Sequence, residues 1–259
     1  MNLGIAGRKA LVCASSQGLG RACAQALASE GAAVTLNGRD LQRLEHAQNV
    51  IEEATGRRPA AIVADINTAE GRATLGAALA QSDILVTNNA GPTPGRFEDW
   101  DEVAWTNALN ASLMAPLMIV RAALPGMRER RFGRIVNITS AMVKAPRAAM
   151  GLSTTARSGL TAMCKALSVE VVRDNVTINN LLPERIDTER LLRMTQWTAQ
   201  QKGLSFEAAR AEMLRPVPAG RFGTPAEFGA ACAFLCSSLA GYITGQNLQI
   251  DGGSYPGVI

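Results

Sequence analysis

Seven short apolar runs, at residues 9–14, 33–37, 60–64, 84–87, 134–139, 177–182 and 247–250, punctuate the chain, and stretches with helical spacing separate them. No other feature restricts the fold as sharply. Short runs with little polar alternation suit strands buried on both faces, and such strands run parallel only when helices carry the chain back between them. Helical spacing recurs at 19–29, 41–54, 69–80, in a long pair within 100–130, and at 151–173, 188–214 and 225–238. The alternation predicts an α/β fold, a doubly wound parallel sheet with helices on both faces. No linker, repeat or low-complexity segment interrupts it. A chain of 259 residues, 47% hydrophobic, can bury one large core, so a single domain over 1–259 is expected.

The first strand-to-helix connection reads Ala14-Ser15-Ser16-Gln17-Gly18-Leu19-Gly20. Residues this small let the backbone approach a phosphate, and the free N–H groups and positive dipole end of the following helix hold the anion. Alone, such a turn is often an ordinary loop; between a strand and a helix, with a second strand following at once, it points to a dinucleotide site. The second strand ends in Asn37-Gly38-Arg39-Asp40. A carboxylate at a strand end accepts the ribose hydroxyls of NAD, whereas an arginine nearby suits the 2′-phosphate of NADP. Arg39 therefore favours NADP, with Arg43 in support; the competing reading is a solvated arginine at a helix start. Asp65, after the third strand, either accepts from the adenine amine or caps the next helix. Asn88-Asn89-Ala90-Gly91 closes the fourth strand with small and amide residues that fit against a bound cofactor.

Composition removes several other classes. The net charge is +4 with scattered basic residues, and the cluster at 128–134 reads as a helix end, so no nucleic-acid partner is expected. The five cysteines fall among apolar neighbours and read as reduced thiols of a cytoplasmic protein; Cys232 and Cys236 lack companions for a metal site. No basic-plus-apolar leader opens the chain, and the uncharged runs at 103–120 and 228–250 carry Asn, Gln, Gly or Pro, so no membrane span is expected.

These motifs, together with Arg134-Ile-Val-Asn-Ile-Thr-Ser140 and Gln246-Asn-Leu-Gln-Ile-Asp-Gly-Gly253, resemble the short-chain dehydrogenase/reductase family, in its β-ketoacyl-carrier-protein-reductase-like branch. The resemblance implies a Rossmann-type sheet of seven strands in the order 3-2-1-4-5-6-7. It also implies cofactor contacts from Ala14, Ser15, Ser16, Gly18, Leu19, Gly20, Asp65, Ile66, Asn89, Ala90, Gly91, Arg157, Pro183, Ile186 and Thr188, and a substrate lid over 188–218. The long helices around 112–130 and 151–173 would form a subunit interface, giving a homo-oligomer, tetramer or dimer. The family's glycine turn usually opens Thr-Gly; Cys13 and Ala14 stand there in this chain.

The catalytic positions depart further. The family uses Asn, Ser, Tyr and Lys, and Ser140 matches its serine. Thirteen residues on, Ser153 occupies the tyrosine position, and four further Arg157 occupies that of the lysine. The family asparagine falls on Ser112, with Asn107 and Asn110 close by. Reduction of a carbonyl needs a proton for the forming alkoxide, and a good donor has a pKa near the working pH. A serine hydroxyl is far weaker than a phenol, and an arginine stays charged. Tyr242 and Tyr255 lie far along the chain. Two donors remain in view: Lys144, which is otherwise a solvated loop lysine, or a water ordered by Ser153. Glu184, where the family has glycine, either neutralises Arg157 or faces water. Three functions compete: an NADP(H)-dependent oxidoreductase of a small-molecule carbonyl or alcohol, an NADP(H)-binding protein with little turnover, and another reaction on the same fold.

Overall fold

The structure, a computed structural model, describes residues 2–258. Seven strands form one sheet: β1 (Lys9–Val12), β2 (Ala33–Gly38), β3 (Ala60–Val63), β4 (Ile84–Thr87), β5 (Gly133–Ile138), β6 (Val176–Pro183) and β7 (Asn247–Ile250). Every pairing is parallel and the order is 3-2-1-4-5-6-7, as the sequence leads one to expect. Ten α-helices among the described residues connect them: α1 (Gly18–Ser29), α2 (Leu41–Thr55), α3 (Ala69–Thr74), α4 (Gly76–Gln81), α5 (Glu102–Leu109), α6 (Ala115–Glu129), α7 (Gly151–Val171), α8 (Glu189–Lys202), α9 (Phe206–Leu214) and α10 (Pro225–Leu235).

Alternate strand residues feed two cores. Val12, Leu36, Val86 and Val136 meet Leu27 of α1, Leu44 of α2 and Phe228 of α10 on one face. Leu11, Leu85, Ile135 and Ile178 meet Leu79 of α4, Ile119 and Ala123 of α6 and Leu160 of α7 on the other. The period of two in the strands against the helical period of the crossovers thus produces three layers.

The expected helices at 69–80 and 188–214 are each divided. The first breaks at Leu75; the second ends α8 at Gly203, whose φ of 63° is the left-handed stop that glycine supplies without penalty. The pair within 100–130 runs as one rod in which α5 and α6 are joined by a π-helical turn, Asn110–Met114. That rod, Glu102–Glu129, is long and apolar enough to cross a membrane. Here Ala115, Ile119, Val120, Ala123 and Met127 are buried in the protein. All five cysteines are buried and unpaired.

One rung of the sheet is polar. Thr87 lies opposite Asn137, Asn137 opposite Asn180, and Asn180 opposite Asn247. Thr87 Oγ1 donates to Asn137 Oδ1 at 2.7 Å, Asn137 Nδ2 donates to Asn180 Oδ1 at 3.0 Å, and Asn180 Nδ2 donates to Asn247 Oδ1 at 2.8 Å. Its members satisfy one another, as buried polar groups must.

Candidate active site

Parallel strands deliver their following loops to one edge of the sheet, and ligands bind in the crevice where the strand order reverses. The loops after β1, β2, β3, β4, β5 and β6 here enclose a cleft of about 600 Å³. Of the expected residues, Ala14, Ser16, Gly18, Leu19, Arg39, Asp65, Ile66, Asn89, Ala90, Gly91, Ser140, Ser153, Arg157, Pro183, Ile186 and Thr188 line it.

At one end lies the turn into α1. Gln17, the N-cap, makes no side-chain capping bond, and no acidic residue sits in the first turn, so the N–H groups there face the cleft without a protein acceptor from the cap. Gly18 has φ of 57°, and a Cβ there would meet only Glu189 Oε2 at 3.6 Å. An uncapped helix start of this kind fits the diphosphate of a dinucleotide. Ser15 and Gly20, expected to touch the cofactor, do not line the cleft. Ser15 is fully buried; its hydroxyl donates to the Val12 carbonyl at 2.8 Å and accepts from Asn37 N at 3.1 Å. A Cβ on Gly20 would stand 2.4 Å from the Ala14 carbonyl. Both residues shape the turn and leave the ligand to their neighbours. Ala14 holds φ of 44°, a left-handed conformation that glycine adopts more cheaply.

Arg39, 68% exposed, lies 3.8 Å from the Asp65 carboxylate at the cleft edge. Arg43 reaches Asp40 at 3.6 Å and donates to Gln17 at 3.4 Å. Asp65 does not cap α3: Thr68 does, accepting from Gly71 N at 3.0 Å, while Asp65 Oδ1 accepts from Asn67 N at 2.9 Å. Asn89 Nδ2 donates to Asn67 Oδ1 and to the Ala111 carbonyl in the π-turn, tying the loop after β4 to the long rod.

At the other end Ser140 caps the loop after β5, accepting from Met142 N at 3.2 Å. Ser153 and Arg157 lie one turn apart on α7, and Arg157 Nη1 donates to Ser153 Oγ. The hydroxyl proton of Ser153 is then free to point into the cleft. Enclosure pushes the Arg157 pKa down to about 10, and the nearby charge of Arg190 adds to the fall. Burial also lowers Arg190, with Arg193 contributing.

Three other expectations are corrected. Lys144 does not line the cleft: its ammonium sits 5.5 Å from the centre of the Tyr255 ring, a cation–π contact. Ser112, in the family asparagine position, is buried in the π-turn with an unpartnered hydroxyl, also off the cleft. Asn110 donates to the Asn67 carbonyl at 3.0 Å. Glu184 neither neutralises Arg157 nor faces water. Its side chain, 8% exposed, pairs with Arg147 at 3.1 Å and Arg185 at 3.4 Å. Residues that sequence reasoning passed over are Arg147, Arg190 and Arg193 and four methionines, 142, 150, 194 and 213, all on the cleft. For Arg190 and Arg193 the signal was present, since a spacing of three in a helix puts both on one face.

A three-layer doubly wound sheet with a nucleotide-sized cleft along its strand ends defines a class of Rossmann-type α/β proteins. The family model described as enoyl-(acyl carrier protein) reductase matches residues 13–255. The 3-oxoacyl-[acyl-carrier-protein] reductase FabG of Vibrio harveyi is 34% identical over 98% of this chain and 99% of its own length. The NADPH-dependent reductase BacG of Bacillus subtilis is 29% identical over 95% and 97%. The crystal structure of L-sorbose reductase from Gluconobacter frateurii, complexed with NADPH and L-sorbose, superposes with a TM-score of 0.93 at 27% identity, covering all of both chains. The chain belongs to the short-chain dehydrogenase/reductase family.

Proposed function

We propose that this chain is an NADP(H)-dependent oxidoreductase interconverting a carbonyl and an alcohol on a small molecule, without the tyrosine acid of its family. One observation carries the reading: a single cleft joins an uncapped helix start and Arg39 to the cluster Ser140, Ser153 and Arg157. The relatives that are NADPH-dependent or bind NADPH support the choice of cofactor. Bound there, the nicotinamide supplies the hydride.

The protein's own groups do the rest. The first turn of α1, with Ser16, Gly18 and Leu19, holds the diphosphate; Arg39 holds the 2′-phosphate and Asp65 the adenine amine. Ala90, Gly91, Pro183, Ile186 and Thr188 flank the nicotinamide half. Ser140 orients the substrate oxygen. Arg157 remains charged at neutral pH even with its pKa near 10, so it stabilises the forming alkoxide and does not supply its proton. With Lys144 outside the cleft, the proton reaches the alkoxide from solvent, relayed by a water ordered by Ser153, whose hydroxyl Arg157 polarises, and solvent reprotonates that water. A second reading, an NADP(H)-binding protein with little turnover, draws on the same feature, because no tyrosine lines the cleft. The protein acts as a homo-oligomer, dimer or tetramer; exposed Met114 on the long rod and exposed Met163 and Val169 on α7 support this.

The test follows NADPH oxidation over a panel of ketones, keto sugars and 3-oxoacyl thioesters, for the wild type and for Ser153→Tyr with Arg157→Lys. Slow turnover by the wild type, faster in the restored pair, is expected. If neither form oxidises NADPH while NADPH still raises the melting temperature, the binding-protein reading replaces the reductase.

A further inference from the structure

The guanidiniums of Arg157, Arg190 and Arg193 line one cleft, and among the described residues no carboxylate pairs with any of them. Arg157 and Arg190 both reach within 3.1 Å of the point where a Cβ on Gly91 would stand. Arg190 gives one proton from each Nη to the carbonyls of Gly91 and Pro92, at 3.2 and 3.4 Å, which leaves three donors for another acceptor. Arg193, three residues on in α8, lines the same cleft, and its charge is felt at Arg190. Among the described residues none of these three has a carboxylate within 4.0 Å, whereas Arg147 and Arg185 share Glu184. Arg157 and Arg190, crowded together and partly desolvated, are costly to hold there unless an anion joins them.

The cofactor does not supply that anion, since its phosphates are accounted for at the start of α1 and at Arg39. Four methionines, Met142, Met150, Met194 and Met213, give the same cleft apolar, pliable lining, beside the mutually paired Arg147, Glu184 and Arg185. Unbranched thioethers fit flexible or irregular apolar bodies. We infer that the substrate is an anionic amphiphile, a carbonyl or hydroxyl compound whose carboxylate or phosphate headgroup sits between Arg190 and Arg193 and whose apolar body lies on the methionines. Guanidinium forks match the planar or tetrahedral oxygens of such headgroups. The inference rests on the proposed function, with the cofactor lying along the cleft from the start of α1 as far as Gly91, beside these arginines. It assigns the basic face of α8 to recognition of the substrate.

The test needs no turnover. Hexanoate, hexyl phosphate and the uncharged hexanamide are titrated calorimetrically into the NADPH-loaded protein and into the protein alone. At least one anion should bind no less than tenfold more tightly than hexanamide, and the tighter of the two identifies the headgroup. Arg193→Gln, at an exposed position, should erase most of that difference while NADPH affinity holds. Equal binding of hexanamide overturns the proposal. So does displacement of NADPH by the anions, which would give the arginines to the cofactor. If hexanoate binds but no carbonyl is reduced, the anion site stands and the reductase reading falls. Reduction of neutral ketones without anion binding removes the anion site and leaves the reductase in place.

Discussion

Arg157→Met should make the protein more stable and less useful. The guanidinium is enclosed by Gly91, Ser153 and Arg190, and its one side-chain hydrogen bond goes to Ser153. Burial lowers its pKa to about 10, which corresponds to about 3 kcal/mol against the charged form in the folded state. For a base with a lowered folded pKa, the unfolded chain binds more protons between the two values, so stability rises with pH only from about 10 up to the ordinary arginine value. Below that window the charge is present in both states and the whole penalty stands, neutral pH included. A methionine keeps most of the length, removes the charge, and forfeits about 1 kcal/mol of hydrogen bonding at Ser153. The net gain is about 2 kcal/mol, or roughly 4–8 °C in melting temperature for a chain of this size. Thermal unfolding without ligand reads it directly. Turnover should be lost, since a stabilising change at a strained site usually costs function. A melting temperature that falls would refute the reasoning, because it would mean that the charge is compensated in the fold.

Arg39→Ala should weaken NADPH by tenfold or more and leave NADH nearly unchanged, since a charge-assisted contact to phosphate is worth about 1.5–3 kcal/mol; equal losses in fluorescence titrations would remove Arg39 from the 2′-phosphate. Ala14→Gly relieves a left-handed φ of 44°, and thermal unfolding should show a gain of about 1 kcal/mol; no gain would mean that the turn carries no strain. Lys144→Met should leave NADPH oxidation unchanged, because the ammonium lies over Tyr255 and off the cleft; a collapse in rate would return the lysine to catalysis.

The strands, the helices between them and the nucleotide half of the cleft are legible in the sequence because they rest on local signals, while the strand order follows from the family resemblance. Apolar runs, small residues at the first turn and the residue after each strand all act within a few positions of where they are read. The far half is less legible because distant segments decide it. Lys144 follows Ser140 by four residues, yet Tyr255, from the other end of the chain, draws it away. Glu184 could be matched with Arg157 by proximity to the site, but Arg147 and Arg185 reach it first. Ser15 and Gly20 belong to the motif, and only their burial shows that they build the turn. Ser153 and Arg157 do share a helix face, a spacing of four that sequence alone resolves.

The polar rung across β4, β5, β6 and β7 works as a ruler. The apolar residues flanking Asn137 and Asn180 are interchangeable enough that a strand slipped by two residues would keep its faces correct and still bury similar surface. The asparagines would not tolerate the slip, because each would lose a partner at about 1–3 kcal/mol. Such a slip would also carry Ser140, just past the end of β5, some ~7 Å from its place on the cleft it shares with Ser153. Amide groups in the sheet therefore calibrate the alignment of Ser140 with the rest of the cleft at its edge, and an exchange of Asn137 for an apolar residue should be felt first as a loss of that alignment.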